Sequence, residues 1–347
     1  MRAFLCLLLP SAAWAVGACT STASCTEWVT LAGGPTRSLV YSTYPLEMRN
    51  EHIRRALVMV HGANRDADNY FRTAIAAAFL AGALDDTIVI APRFASNEGR
   101  GCADKLDANE VNWPCGGDSW RSGGVSPSAK NLTSYDLADE ILRKLARKNI
   151  FPNLKAIVIA GHSAGGQFVT RYQMANKVHG TLGVRIDYVV SNPSSYAWPD
   201  AQRPSGEIPV PAPSSTPAAS AAHPIRFGPF RDARNCTTYD QWPYGLKNRG
   251  GYTAGIPDEQ LKKQLATRPA TYLLGELDIL PLGGFDSSCP AMAQGPTRLA
   301  RGTAFVDYIT TKYEAKGQRA VVIPLCGHNA RCMFTAEPAL PILFPKE

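Results

Sequence analysis

Short runs of aliphatic and β-branched residues recur along this 347-residue chain, separated by stretches whose apolar positions return every three or four residues. The runs at 56–60, 87–90 and 156–160 are uninterrupted by charge. Such segments suit strands covered on both faces, as in a parallel sheet. The segments 188–190, 271–274 and 320–323 read the same way. Between them, residues 134–149 carry Leu137, Ile141, Leu142 and Leu145 on one helical face, behind a start signal at Ser134 or Asp136. Residues 67–84, 165–178 and 297–315 also carry helical patterns. Strand–helix alternation predicts an α/β fold, a doubly wound, mostly parallel sheet with helices on both faces.

Two regions break the alternation. Residues 94–133 are rich in Gly, Asn and Asp and contain Cys102 and Cys115, which predicts a stapled loop. In residues 197–256, Pro204, Pro209, Pro211, Pro213, Pro217 and Pro224 interrupt an Ala/Ser-rich stretch that no helix or central strand could continue. The expectation is an inserted, lid-like segment, Pro-rich and mobile first, then packed through Phe227, Phe230, Tyr239, Trp242 and Tyr244. Tyr196, Trp198, Trp242 and Tyr244 are candidates either for a substrate pocket or for core filling.

The N-terminus changes the picture of where the protein works. Met1 and Arg2 precede a brief apolar run and an Ala13-Trp14-Ala15 site, the three regions of a secretory signal peptide. We therefore expect a signal peptide at 1–18 and a single domain at 19–347, secreted or periplasmic. The run is too short to span a bilayer, so no stable membrane insertion is expected. Val16-Gly17-Ala18-Cys19 offers the alternative of lipid anchoring at Cys19. Cysteine usage argues against it. Of 9 cysteines, Cys6 leaves with the leader, and the even remainder implies disulfides. Locality ranks the pairs Cys19–Cys25, Cys102–Cys115 and Cys326–Cys332, which leaves Cys236–Cys289. A net charge of +7 with scattered basic residues gives no nucleic-acid footprint.

Gly161-His162-Ser163-Ala164-Gly165 follows a strand directly and opens a helical pattern, the context a G-x-S-x-G nucleophile elbow requires. The turn is tight enough to demand small neighbours. It presents the Ser163 hydroxyl at a helix N-terminus, where developing negative charge is favoured. Of 6 histidines, His328 lies just after the last strand, where a base for Ser163 is expected. His61 more naturally shapes its own loop, and His162 sits within the turn itself. An orienting carboxylate should follow the strand at 271–274. Asp278 fits that position, with Glu276 and Asp286 as alternatives. Two N–H donors for an oxyanion are expected from Ala164 and, in the loop His61-Gly62-Ala63-Asn64, from Ala63.

The elbow, the His61-Gly62 loop and the terminal Gly327-His328 resemble those of the α/β-hydrolase superfamily, secreted esterases and polyester depolymerases above all. The resemblance spans most of 55–335 in layout. It implies the α/β-hydrolase fold and a Ser163–Asp278–His328 triad. Ala63 departs from the HGGG loop of one esterase group, and Ser163 lacks the adjacent cysteine of tannase-like enzymes. No HExxH, paired CxxC or phosphate-binding glycine loop is present, so neither metal nor cofactor is expected. The expected function is hydrolysis of a small or polymeric carboxylic ester through an acyl-enzyme. A peptidase or amidase could use the same triad, and a non-catalytic binding protein could share the fold.

Overall fold

A computed structural model describes residues 17–99, 101–116, 119–209 and 224–346. The signal peptide expected at 1–18 falls almost wholly outside the described residues, as does most of the Pro-rich stretch. In chain order the elements are β1 (Thr26–Thr30), β2 (Arg37–Ser42), β3 (Arg55–Val60), α1 (Ala67–Leu80), β4 (Thr87–Pro92), α2 (Ser134–Leu145), β5 (Ala156–His162) and α3 (Ala164–Ala175). There follow β6 (Arg185–Ser191), β7 (Gln202–Ser205), β8 (Arg226–Pro229), α4 (Asp258–Thr267), β9 (Ala270–Gly275), α5 (Cys289–Met292), α6 (Arg298–Lys312), β10 (Gln318–Ile323), α7 (Ala330–Thr335) and α8 (Leu340–Leu343).

The 8-stranded main sheet has the order β1-β2-β4-β3-β5-β6-β9-β10. Only its first two pairings are antiparallel. The rest are parallel, as the charge-free runs predict. Within β5, Ile157 and Ile159 enter one core cluster, whereas Val158 and Ala160 enter the other, so both sheet faces are covered. The first core receives Leu137 and Ile141 of α2, Phe168 of α3, Leu261 of α4 and Phe305 of α6. Phe71 of α1, Phe334 of α7 and Leu343 of α8 close the second.

Local signals explain where helices start. Asp136 accepts both the Thr133 N–H (2.7 Å) and the Thr133 hydroxyl (2.6 Å), which sets the start of α2 at Ser134. At α6, the Thr297 hydroxyl oxygen accepts the Ala300 N–H at 3.1 Å and makes Arg298 the first helical residue. Both starts matter below.

In residues 197–256, β7 and β8 form a separate 2-stranded sheet on either side of the undescribed stretch. Trp198 and Tyr196 are fully buried core residues. Trp242 and Phe227 pack against the same core at half-burial, and Phe230 lies 5.0 Å from Tyr239. Among the described residues there are four disulfides, Cys19–Cys25, Cys102–Cys115, Cys236–Cys289 and Cys326–Cys332. Bonds of this number belong to an oxidising compartment. Among the described residues, no helix is long and apolar enough to cross a membrane.

One buried carboxylate gives the fold a pH signature. Asp139 on α2 is 2% exposed and accepts the Tyr172 and Tyr252 hydroxyls at 2.6 and 2.8 Å. Burial outweighs these bonds and raises its pKa to about 6. The folded state thus holds this proton more tightly than the unfolded chain does. Its stabilising contribution is complete below about pH 4 and is lost as pH rises through about 6. Stability of the wild type relative to Asp139→Asn should therefore fall by about 2 kcal/mol from pH 4 to pH 8. Denaturant melts of both proteins at the two pH values measure this, and a constant difference would refute it.

Candidate active site

The C-terminal ends of β3, β5, β9 and β10 open on one edge of the sheet, and each sends a loop to the same place, where ligands bind in open α/β sheets. Between β5 and α3 the chain turns at Ser163, which adopts φ 59° and ψ −120°, a conformation rarely open to a residue with a side chain. The turn is held by the Ser163 N–H donating to the Ser191 carbonyl and by the Gln167 N–H donating to the Ser163 carbonyl, both at 3.0 Å. Close packing accounts for the flanking glycines. A Cβ on Gly165 would lie 2.6 Å from the His61 carbonyl oxygen and closer still to that of Val60. One on Gly161 would strike the Gly165 carbonyl.

His328 follows β10 and Asp278 follows β9. The His328 Nε2 lies 3.0 Å from the Ser163 hydroxyl oxygen, and its Nδ1 lies 2.8 Å from an Asp278 carboxylate oxygen. With the carboxylate accepting the Nδ1 proton, Nε2 is the acceptor for the serine hydroxyl. Asn192 ties the two loops together, its Oδ1 accepting the Gly275 N–H at 2.8 Å and its Nδ2 donating to the Gly327 carbonyl at 3.3 Å. The Cys326–Cys332 bond closes the loop that carries His328. Asn329 then starts α7, accepting the Cys332 N–H at 3.0 Å.

The alternative acids are engaged elsewhere. Glu276 accepts the Leu325 N–H at 2.7 Å. Asp286 accepts the Tyr244 hydroxyl at 2.7 Å. His61 serves its loop, its Nε2 accepting the Phe94 N–H (3.1 Å) while Nδ1 donates to the Gly62 carbonyl (2.8 Å). Burial drives its pKa down to about 4, so it is neutral. Among the other histidines, His179 pairs with the Tyr188 hydroxyl at 3.0 Å and His52 is exposed. His223 lies outside the described residues.

Two neighbours of these three residues had no sequence signal. Arg298 is fully buried and donates to Asp278 at 3.2 Å, to the Ser194 hydroxyl at 2.7 Å and to the Gly283 carbonyl at 3.0 Å. Burial pulls its pKa down and the Asp278 carboxylate opposes that pull. It balances the buried carboxylate and fixes the loop whose Gly283 packs against the His328 ring. The other is Tyr70 on α1, whose hydroxyl lies 3.1 Å from His162 Nδ1.

A cleft of about 570 Å³ lies over Ser163 and His328. Ala63 and Asn64 form part of one wall, and Asn329 and Arg331 part of another. Ala164 follows Ser163 as the first residue of α3. The lining residues come from the loops after β3, β5, β9 and β10 and from the first turns of α1 and α7.

Comparison with known proteins agrees with this layout. A family model described as alpha/beta hydrolase family matches residues 57–340. No curated protein sequence matches the chain. Among solved structures, a poly(3-hydroxybutyrate) depolymerase from Bordetella parapertussis superposes with a TM-score of 0.61 at 21% identity, covering 92% of this chain and 89% of its own. Poly(aspartic acid) hydrolase-1 from Sphingomonas sp. KT-1 gives 0.62 at 22% identity, with 94% and 98% covered. At these identities the likeness is one of fold.

Proposed function

Because the chain belongs to the alpha/beta hydrolase family, we propose that it is a secreted serine hydrolase that cleaves carboxylic esters through an acyl-enzyme. The observation that carries this reading is the unbroken chain from the Ser163 hydroxyl to His328 (3.0 Å) and on to Asp278 (2.8 Å), opening on the cleft. His328 takes the serine proton as Ser163 Oγ attacks the ester carbonyl carbon, and Asp278 steadies the resulting imidazolium. The N–H groups of Ala63 and Ala164 receive the charge on the former carbonyl oxygen. Collapse of the tetrahedral intermediate expels the alcohol, which takes its proton from His328. Water, activated by the same base, then releases the acid and restores Ser163.

The four disulfides support export, and with them the signal peptide at 1–18. We assign 19–347 as one catalytic domain in which 197–256 is an inserted segment. Substrate is a small or polymeric ester able to enter the cleft. A fluorophosphonate probe tests the reading. It should label the wild type at Ser163 alone, and p-nitrophenyl butyrate should turn over where the matched anilide does not. Labelling elsewhere would overturn the nucleophile assignment, and faster anilide cleavage would assign a peptidase or amidase.

A further inference from the structure

A second hydrogen-bonded pair stands beside the triad and has no part in the steps above. The Tyr70 side chain is buried, with its hydroxyl 3.1 Å from His162 Nδ1. A Cβ on Gly62 would lie 2.8 Å from that hydroxyl oxygen and 3.8 Å from Ser163 Cβ, so phenol and nucleophile flank a single point. Tyr70 lines the cleft together with Gly62, Ala63 and Ser163. The His162 ring packs on the His328 ring with centroids 4.5 Å apart. The other nitrogen of His162, Nε2, is buried and has no hydrogen-bond partner among the described residues.

Proton accounting decides which way this pair points. Burial, reinforced by nearby His328, keeps the His162 imidazole neutral. Burial likewise keeps the Tyr70 phenol protonated. The pair therefore has one N–H and one O–H. Were the phenol to donate to Nδ1, the imidazole proton would sit on Nε2 as a buried N–H without an acceptor. With the proton on Nδ1, the imidazole donates to the phenol oxygen, and only a lone pair is left bare at Nε2. Orphaned buried N–H groups are the rarer defect and carry a full desolvation penalty. The phenol oxygen then accepts from His162, and its own proton is free to face the cleft that Tyr70 lines.

We propose that Tyr70 is a third oxyanion donor: its hydroxyl, turned into the cleft by His162, hydrogen-bonds the substrate carbonyl oxygen as charge develops there. This rests on the serine-hydrolase reading and adds a side-chain donor to the backbone N–H groups of Ala63 and Ala164. Tyr70→Phe keeps the ring and removes the proton. In the full-length protein kcat for p-nitrophenyl butyrate should fall about tenfold or more, with KM almost unchanged. Sulfur accepts hydrogen bonds poorly, so the wild type should prefer the carbonyl ester to its thionocarbonyl analogue. Tyr70→Phe should narrow that preference.

An unchanged kcat, or an equal loss on both esters, would overturn the assignment. Should Tyr70→Phe not fold, His162→Asn and His162→Leu decide the matter. Asparagine can still donate to the phenol and should retain more of the carbonyl preference than leucine; equal preference in the two would overturn it. A wild type that a fluorophosphonate fails to label would overturn the underlying hydrolase reading as well. Retained labelling with unaltered Tyr70→Phe kinetics defeats only the Tyr70 assignment.

Discussion

Ser163→Ala should lower ester turnover by at least about 10³-fold while leaving unfolding midpoints where they are or slightly higher. Alanine keeps the Cβ and so leaves the backbone at φ 59° as it is, and among the described residues the lost hydroxyl bonds only His328. Adding His328→Ala to that variant should cost little more, because the members of a triad act as a unit. Asp278→Asn is expected to behave differently. It too should lower kcat by about 10³-fold or more, since an amide cannot favour the productive imidazole tautomer. It also leaves Arg298, a fully buried cation, without its carboxylate. Breaking a buried pair in this way costs about 3 kcal/mol or more. Turnover and denaturant melts measured on the three variants separate the two effects. Full activity in Asp278→Asn would return the acid role to Glu276 or Asp286, and unaltered stability would show that Arg298 does not depend on Asp278.

The second large effect concerns Gly165. Alanine there would push a methyl group against the carbonyl oxygens of Val60 and His61, neither of which belongs to a flexible side chain. Either α3 moves away from β3 or the elbow unwinds. Such overpacking against backbone should cost about 3 kcal/mol or more. It should also displace Ser163 from His328, so activity falls even in the fraction that remains folded. Gly34, whose Cβ position is open, provides the control. Thermal melts and fluorophosphonate labelling of Gly165→Ala and Gly34→Ala test the contrast. A Gly165→Ala protein with native stability and labelling rate would mean that the turn is looser than its contacts imply.

The central sheet was legible because burial on both faces leaves a sequence mark that needs no partner to interpret. β3, β4, β5, β6, β9 and β10 all lie where the aliphatic runs predict. β2 escaped notice for a physical reason. Its buried positions are Ser38, Val40 and Ser42, and the two serines are accommodated by hydrogen bonds to the Arg93 and Tyr44 carbonyls. Its pattern therefore runs polar on the side that faces inward. β1, its edge partner, is largely half-exposed, and α4 buries only Leu261 and Leu265. At the site, chain order and loop position singled out Ser163, Asp278 and His328 and left three acids open; the fold brings Asp278 to 2.8 Å from His328 and engages Asp286 and Glu276 with other partners. Arg298 and Tyr70 were invisible for a common reason. Each sits in the first turns of a helix, where charge or an aromatic ring is unremarked, and its meaning lies in a partner far away in sequence.

The four disulfides divide labour between stability and activity. The Cys236–Cys289 bond joins residues 53 positions apart and, by loop-closure entropy, holds about 4 kcal/mol against the unfolded chain. Cys326 and Cys332 are only 6 positions apart, and their bond is worth about 2 kcal/mol by the same measure. Yet the smaller contributor closes the loop that carries His328, the proposed base. A molecule with this short ring open and the long bonds closed would lose only about 2 kcal/mol and keep its fold. Its His328 would be tethered from one side only, and near-attack geometry tolerates little such slack. Protein in which this one bond has failed to form should therefore keep its fold and lose activity, and a thiol count at Cys326 and Cys332 would tell it from the fully bridged form.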